Sequence, residues 1–168
     1  MNRAEITAML SGLLERYINP HYDTRIYFAK EVTFDYCCAK PIRVDFMRFK
    51  PMNNTVSGIE KGDFYCYEIK SSVEDFNSKN GHNFIGDYNY YVMTEELYKK
   101  VGDKIPYNIG VLVPATDGFG FLQSVRKAKR KDRGRPAMEM LLMMFRSSNR
   151  DIIKSQKKGT KKWQDGKT

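Results

Sequence analysis

The stretch "FYCYEIKSSVEDF", residues 64–76, joins an aromatic strand to two opposite charges. Its aromatic and apolar side chains predict a strand over residues 63–70, yet Glu68 and Lys70 stand two residues apart inside it. Side chains at positions i and i+2 of a strand point to the same face. The sequence therefore predicts a carboxylate and an ammonium side by side at the end of a buried strand.

A second predicted strand, "IRVDFMRF" at residues 42–49, carries a lone acid, Asp45, among apolar side chains. Residues 50–62 between the strands are rich in turn signals, so the two strands are predicted to pair as an antiparallel hairpin. In that hairpin Asp45 can lie beside Glu68, with Lys70 one pleat further on. Two carboxylates this close raise one pKa unless a cation neutralises them. Hard oxygen ligands favour Mg²⁺, or Mn²⁺, over zinc.

The remaining periodicity predicts an α/β fold in which helices flank a mixed central sheet. Predicted helices cover 3–18, 95–101 and 137–155, with a short helical turn after Ser72; further strands cover 24–34, 87–94, 108–114 in the sheet interior and 118–125 at an edge. We expect a core over 1–125, a basic segment and C-terminal helix over 126–155 packed on that core, and a disordered tail over 156–168.

Composition narrows the class of protein. The chain has 168 residues, enough for one ordinary domain, and no apolar run approaches the ~20 residues of a membrane helix. The N-terminus lacks the pattern of a secretory signal. Three cysteines, two of them adjacent at Cys37 and Cys38, suit a reduced cytoplasmic compartment better than a disulfide framework. With His21 and His82 as the only histidines, we expect no structural zinc site.

The net charge of +9 is concentrated after residue 125, and the stretch "RKAKRKDRGR" at 126–135 is its densest part. A near-neutral body with a basic extension favours a polyanionic partner, most simply DNA. A solvated, solubilising tail is the alternative interpretation. The residues expected to contact nucleic acid are Arg126, Lys127, Lys129, Arg130, Lys131, Arg133 and Arg135.

The motifs "RVD" at 43–45 and "YEIKSSVEDF" at 67–76 resemble the PD-(D/E)XK nuclease superfamily, whose fold is restriction-endonuclease-like. Together with "GDYNYYVMT" at 86–94 and "IPYNIGVLVP" at 105–114, they are similar to the MmcB-like DNA-repair branch. The resemblance covers roughly residues 25–114, about half the chain. Each motif is short, and the order and spacing of the four carry the likeness.

The resemblance implies a role for each matched residue. Asp45 and Glu68 would be metal ligands, the backbone carbonyl of Ile69 a third, and Lys70 the catalytic lysine. The cofactor would be Mg²⁺, with Mn²⁺ as a substitute, and the substrate DNA. Val44 stands where the superfamily has its eponymous proline.

Several assignments stay open at the level of the sequence. Many members of the superfamily add an acid from the first helix; Glu5 and Glu15 are candidates, and Glu31 on the first strand is another. Asp87 matches a polar residue of the family but could cap its strand, and His82 could reach a phosphate or be solvated.

Three functions compete. The first is a Mg²⁺-dependent endonuclease in DNA repair or phage DNA processing. The second is a catalytically silent nucleic-acid-binding protein on the same fold, although both acids and the lysine of the site are present. The third is an RNA-binding module driven by its basic tail. A homodimer is possible, but the sequence does not reveal one.

Overall fold

The computed structural model describes residues 1–115 and 120–165, with side chains described as far as residue 157. The helices are α1 (Arg3–Ile18), α2 (Val56–Glu60), α3 (Val73–Asn77), α4 (Glu95–Val101) and α5 (Ala137–Asp165). The strands are β1 (Tyr27–Phe34), β2 (Ile42–Lys50), β3 (Asp63–Ile69), β4 (Tyr88–Val92), β5 (Gly110–Pro114) and β6 (Leu122–Arg126), and a 3₁₀ turn, Gly102–Lys104, follows α4.

The strands form one mixed sheet in the order β1-β2-β3-β4-β5-β6. β1, β2 and β3 pair antiparallel, β3, β4 and β5 pair parallel, and β6 returns antiparallel to β5. The predicted hairpin of β2 and β3 is confirmed, as are the interior position of β5 and the edge position of β6. Parallel pairing of β3 with β4 requires a crossover, which α3 and the loop after it provide.

Helices cover both faces of the sheet, as the sequence predicts. On one face, Leu10 and Leu14 of α1 pack with Tyr67 and Ile69 of β3. On the other, Met140 and Met144 of α5 pack with buried residues of β1, β2 and β3, and α4 packs on β4 and β5. Residues of β3 alternate between these two cores, so Glu68 points to the α5 side while its neighbours Tyr67 and Ile69 point to α1.

Most predicted elements are confirmed, with two differences. The 50–62 loop contains the short helix α2, which Thr55 caps by accepting a hydrogen bond from the Gly58 N–H. α5 continues to Asp165, into the stretch predicted to be disordered, because that stretch is rich in Lys and Gln, which are strong helix formers. Of the other predictions, positions 118 and 119 of the last strand and 166–168 of the tail lie outside the described residues.

Candidate active site

The β2–β3 register brings Asp45 and Glu68 together. Phe46 pairs with Tyr67, so Asp45 lies opposite Glu68 at the end of the ladder. Asp45 Oδ2 accepts a hydrogen bond of 2.9 Å from the Ile69 N–H, which fixes the carboxylate against β3. Burial, and then the charge of Glu31, raise the pKa of Asp45, although the Ile69 hydrogen bond opposes them. The predicted pairing of the two acids is thus present in the structure.

Glu68 is the most deeply buried acid of the cleft. Its side chain is 1% exposed, and its Oε1 is buried with no hydrogen-bond partner among the described residues. Burial, and then the charge of Asp45, raise the pKa of Glu68 from 4.5 to about 9. A buried carboxylate oxygen without a partner costs several kcal/mol when ionised, so this atom is suited to a cation.

Lys70 follows β3 directly and is 2% exposed. Its Nζ donates to two backbone carbonyls, Asp75 O at 3.1 Å and Asn80 O at 2.6 Å. Burial lowers the pKa of Lys70, while the charges of Asp75 and Glu68 oppose that shift. The ammonium therefore stands beside both acids, held in place by the loop that follows α3.

That loop, residues 78–83, closes over Glu68 and Lys70. Gly81 has φ +69°, and a Cβ at this position would lie 2.9 Å from Lys70 Nζ and 3.1 Å from Glu68 Oε2. Only glycine combines this backbone angle with such a close approach. The Asn83 side chain donates to the Arg43 carbonyl at 2.8 Å, which ties the end of the loop to β2.

The "SSVEDF" motif builds the support beneath Lys70. Ser72 caps α3 by accepting from the Asp75 N–H at 3.1 Å, as its sequence position predicts. Asp75 Oδ2 in turn accepts from the Ser71 N–H at 3.0 Å, and Asp75 Oδ1 pairs with Arg3 of α1 at 2.8 Å. The motif therefore positions the lysine and anchors α1 to the cleft.

The structure separates the three candidates for an extra acid. Glu5 belongs to the N-terminal capping box of α1, and Glu15 pairs with Lys30. Glu31 lines the cleft, pairs with Arg43 at 2.9 Å, and stands between Lys30 and Val32, whose partners Phe46 and Val44 flank Asp45. Of the three candidates, Glu31 is therefore the acid whose charge acts on Asp45.

His82 and Asp87 have structural partners. His82 Nδ1 shares a short hydrogen bond with the Tyr91 hydroxyl, and its Nε2 lies 2.9 Å from Ser78 O, so the ring holds the 78–83 loop. Asp87 is 1% exposed; its Oδ2 accepts from the Phe64 N–H at 2.8 Å, and its Oδ1 pairs with Arg133 at 3.2 Å. Asp87 thus joins the start of β4 to β3, at the opposite end of the strands from Glu68.

Together these residues form an open cleft of about 1030 Å³. Its walls are α1, the ends of β1 and β2, and the 78–83 loop, and its floor holds Asp45, Glu68, Ile69 and Lys70. Four further cationic side chains line it: Arg3, Lys40, Arg43 and Lys79. A cleft with acids at its floor and cations at its rim suits a ligand that carries both a metal ion and phosphates.

The basic segment 126–135 lies elsewhere. Its backbone runs past the starts of β5 and β4, where the N–H groups of Lys129 and Lys131 donate to Asn108 O and Asp87 O. The acids lie at the other end of β3, about 17 Å away at ~3.3 Å per residue. The segment and the paired acids are therefore not in contact.

The arginines of this segment are bonded to the protein itself. Arg126 donates to the Ile105 and Pro106 carbonyls. Ion pairs join Arg130 to Asp63 and Asp87, Arg133 to Asp87, and Arg135 to Asp35 and Glu139. Of the three lysines, Lys129 lies over the Tyr107 ring at 5.0 Å, and Lys127 is exposed. Four of the seven cations predicted to contact nucleic acid thus stabilise the fold.

The donor set suits a divalent cation, but it is small. Among the residues that the structure describes, no three His, Cys, Asp or Glu side chains group as a metal site. Asp45 and Glu68 offer two carboxylates, and no described residue forms a hydrogen bond with Glu68 Oε1. Mg²⁺ commonly binds proteins through one or two carboxylates and completes its shell with waters and substrate phosphates. The residues present are compatible with that mode of binding.

Comparison with known proteins shows a shared fold and no family. No family model matches the chain, and no curated protein matches it. Among solved structures, it is similar to a protein of unknown function from Silicibacter pomeroyi, with a TM-score of 0.58 over 94% of this chain and 92% of that one. The two are 16% identical, so the likeness concerns the fold alone. Within the described residues, no helix is long and apolar enough to cross a bilayer.

Sequence reasoning missed the residues that close the site. Asn80 and Gly81 read as a simple break after α3, and Asn83 gave no signal. The Asn-Gly pair does predict a turn with positive φ. That this turn covers Glu68 and Lys70 follows only from the path of the crossover between β3 and β4.

Proposed function

We propose that the protein is a metal-dependent DNA nuclease on a restriction-endonuclease-like fold, related to the PD-(D/E)XK superfamily. The observation that carries the proposal is Glu68 Oε1, a buried carboxylate oxygen without a hydrogen-bond partner among the described residues, in a side chain that feels the charges of Asp45 and Lys70. No structural role accounts for such an atom, because an apolar residue or a glutamine there would be more stable. Residues that destabilise a fold are commonly retained for function.

Each residue of the cleft then has a role. Asp45 and Glu68, with the Ile69 carbonyl, would hold Mg²⁺ or Mn²⁺, which supplies Lewis-acid polarisation of the phosphodiester and a more acidic water. Lys70 offsets the negative charge that develops on the phosphate. Its lowered pKa also makes its amine a better proton acceptor than an exposed lysine. The carbonyls of Asp75 and Asn80 keep the lysine in place.

A cleavage assay tests this function. Single-stranded, nicked and duplex DNA are incubated with the full chain and Mg²⁺ or Mn²⁺, comparing wild type with Glu68→Gln and Lys70→Met. Lys61→Met is the matched control, since Lys61 is exposed and lies outside the cleft. We expect metal-dependent cutting that falls at least a hundredfold in both site variants and changes little in the control. Equal cutting by all four proteins would contradict the proposal.

The second candidate is a nucleic-acid-binding protein whose site is silent. It is favoured by the two carbonyls that hold Lys70 Nζ, and by the lack of a group of three metal-ligating side chains among the described residues. DNA binding by the wild type with no cleavage of any substrate, under either metal, supports this candidate over the nuclease.

A further inference from the structure

A basic groove lies between the end of β1 and the middle of α5. Its volume is about 600 Å³, and none of the described residues that line it is acidic. We call it the α5 groove and define it by Thr33, Tyr36, Arg146, Arg150, Lys154 and Lys157.

The four cations of the α5 groove follow from helical spacing. Positions 146, 150, 154 and 157 are three or four residues apart, so their side chains share one face of α5. At 1.5 Å per residue the row is about 16 Å long. One strand of duplex DNA carries a phosphate every ~3.4 Å along the axis, so the row can span about five phosphates.

These cations differ in what already engages them. Arg150 donates to the Lys30 and Glu31 carbonyls and pairs with Asp151, so it is part of the fold. The guanidinium of Arg146 lies 3.4 Å from the centroid of the Tyr36 ring, and the residue is exposed. Lys154 and Lys157 are exposed. In contrast to the arginines of the 126–135 segment, three of the four side chains here lack a carboxylate partner in the described structure.

The α5 groove continues into the candidate active site. Thr33 lines both the α5 groove and the cleft that holds Asp45 and Glu68. Thr33 pairs across β1 and β2 with Arg43, which also lines the cleft. A chain of phosphates lying in the α5 groove would therefore pass Thr33 and Arg43 before it reached the paired acids.

We propose that the α5 groove binds the phosphate backbone of one DNA strand and leads it to the cleft. This inference rests on the proposed function, since it names the surface that holds the same substrate. Contacts to phosphates alone carry no sequence information, and the Tyr36 ring, the aromatic side chain among the described residues of the groove, is covered by Arg146. Binding through this surface is therefore independent of sequence and steeply dependent on salt.

The test measures binding without cleavage. Fluorescence anisotropy of labelled duplex DNA is recorded in EDTA at several salt concentrations, with the full chain and the double variant Lys154→Gln/Lys157→Gln. The matched control is Lys127→Gln/Lys131→Gln. It removes the same charge from the basic segment 126–135, in which the sequence predicts the contacts to DNA. Thermal melting verifies that all three proteins are equally folded.

We expect the Lys154→Gln/Lys157→Gln variant to lose two phosphate contacts. The negative slope of log binding constant against log salt concentration should then become shallower by about 2. The affinity for DNA near 0.1 M salt should drop ten- to a hundredfold. The control should bind within about twofold of wild type. Three results would contradict DNA binding by the α5 groove. They are an equal loss of affinity in both variants, a loss of affinity in the control alone, and no DNA binding by the wild type. Variant-sensitive binding to phosphatidylserine vesicles with unchanged binding to DNA would also contradict it.

Failure of the α5 groove and failure of the nuclease are distinguishable. If the protein binds DNA through the α5 groove but cuts no substrate, the proposed nuclease activity is refuted and the proposed DNA binding by the groove is supported. If wild type cuts DNA and the Lys154→Gln/Lys157→Gln variant cuts it equally well at 0.2 M salt, the proposed role of the α5 groove is refuted and the nuclease activity is supported.

Discussion

Replacing Glu68 by glutamine should make the protein more stable at neutral pH. Glu68 is buried, its Oε1 has no partner among the described residues, and its pKa rises from 4.5 to about 9. Between those values the folded state binds a proton that the unfolded chain has released. The stability that this proton provides is complete below pH 4.5 and is lost as the pH rises toward 9.

The magnitude follows from the pKa difference. The unfolded glutamate has a pKa of 4.5, and pH 7 lies 2.5 units above it. Because folding must then take up a proton, the free energy of unfolding is lower by about 3 kcal/mol, at 1.36 kcal/mol per unit. The neutral, isosteric Glu68→Gln variant avoids that cost. For a chain of this length, 1 kcal/mol shifts Tm by about 2–4 °C, so Tm at pH 7 should rise by roughly 6–12 °C.

The assay is thermal melting from pH 5 to pH 9 in EDTA, with Glu60→Gln as the matched control because Glu60 is exposed. Wild type and the control should lose stability together as the pH rises, and Glu68→Gln should show a much flatter profile. A Glu68→Gln profile parallel to that of wild type would refute the account of a buried, protonated carboxyl.

Three further changes test other parts of the structure. Gly81→Ala should lower stability by about 1–3 kcal/mol in urea titrations, because φ is +69° and the new Cβ would crowd Lys70 Nζ; a neutral result would contradict the closed loop. Asp87→Ala should cost about 3–5 kcal/mol, since it leaves Arg133 and the Phe64 N–H without their buried partner; the same titration measures it, and a loss below 1 kcal/mol would be inconsistent. Thr94→Ala should cost about 1 kcal/mol by removing the cap of α4, whereas unchanged hydrogen exchange in that helix would contradict it.

Local patterns predicted the fold well where they repeat over several residues. The aromatic and apolar residues of β2 and β3 and the turn signals between them predicted their antiparallel pairing, and hence the position of Asp45 beside Glu68. Caps at Ser72 and Thr94 were readable because each lies directly before an amphipathic segment. These features depend on neighbours within a few positions of each other.

Long-range pairing explains what the sequence did not reveal. Arg133 and Arg135 read as free cations, because their partners Asp87 and Asp35 are 46 and 100 residues away in the chain. The spacing of the cations from Arg146 onward is present in the sequence. The groove that they form is not, because it also requires Thr33 at the end of β1 and Tyr36 just after it. Charge counting locates cations in the sequence but cannot tell which are already paired.

The central claim is that Asp45 and Glu68 form a divalent-cation site for phosphodiester hydrolysis. Isothermal titration of Mn²⁺ into the metal-free chain tests it most directly, comparing wild type with Asp45→Asn, Glu68→Gln and the exposed control Glu60→Gln. The account predicts one site per chain in wild type and the control, weakened at least tenfold in both site variants. The same stoichiometry and affinity in all four proteins would contradict it.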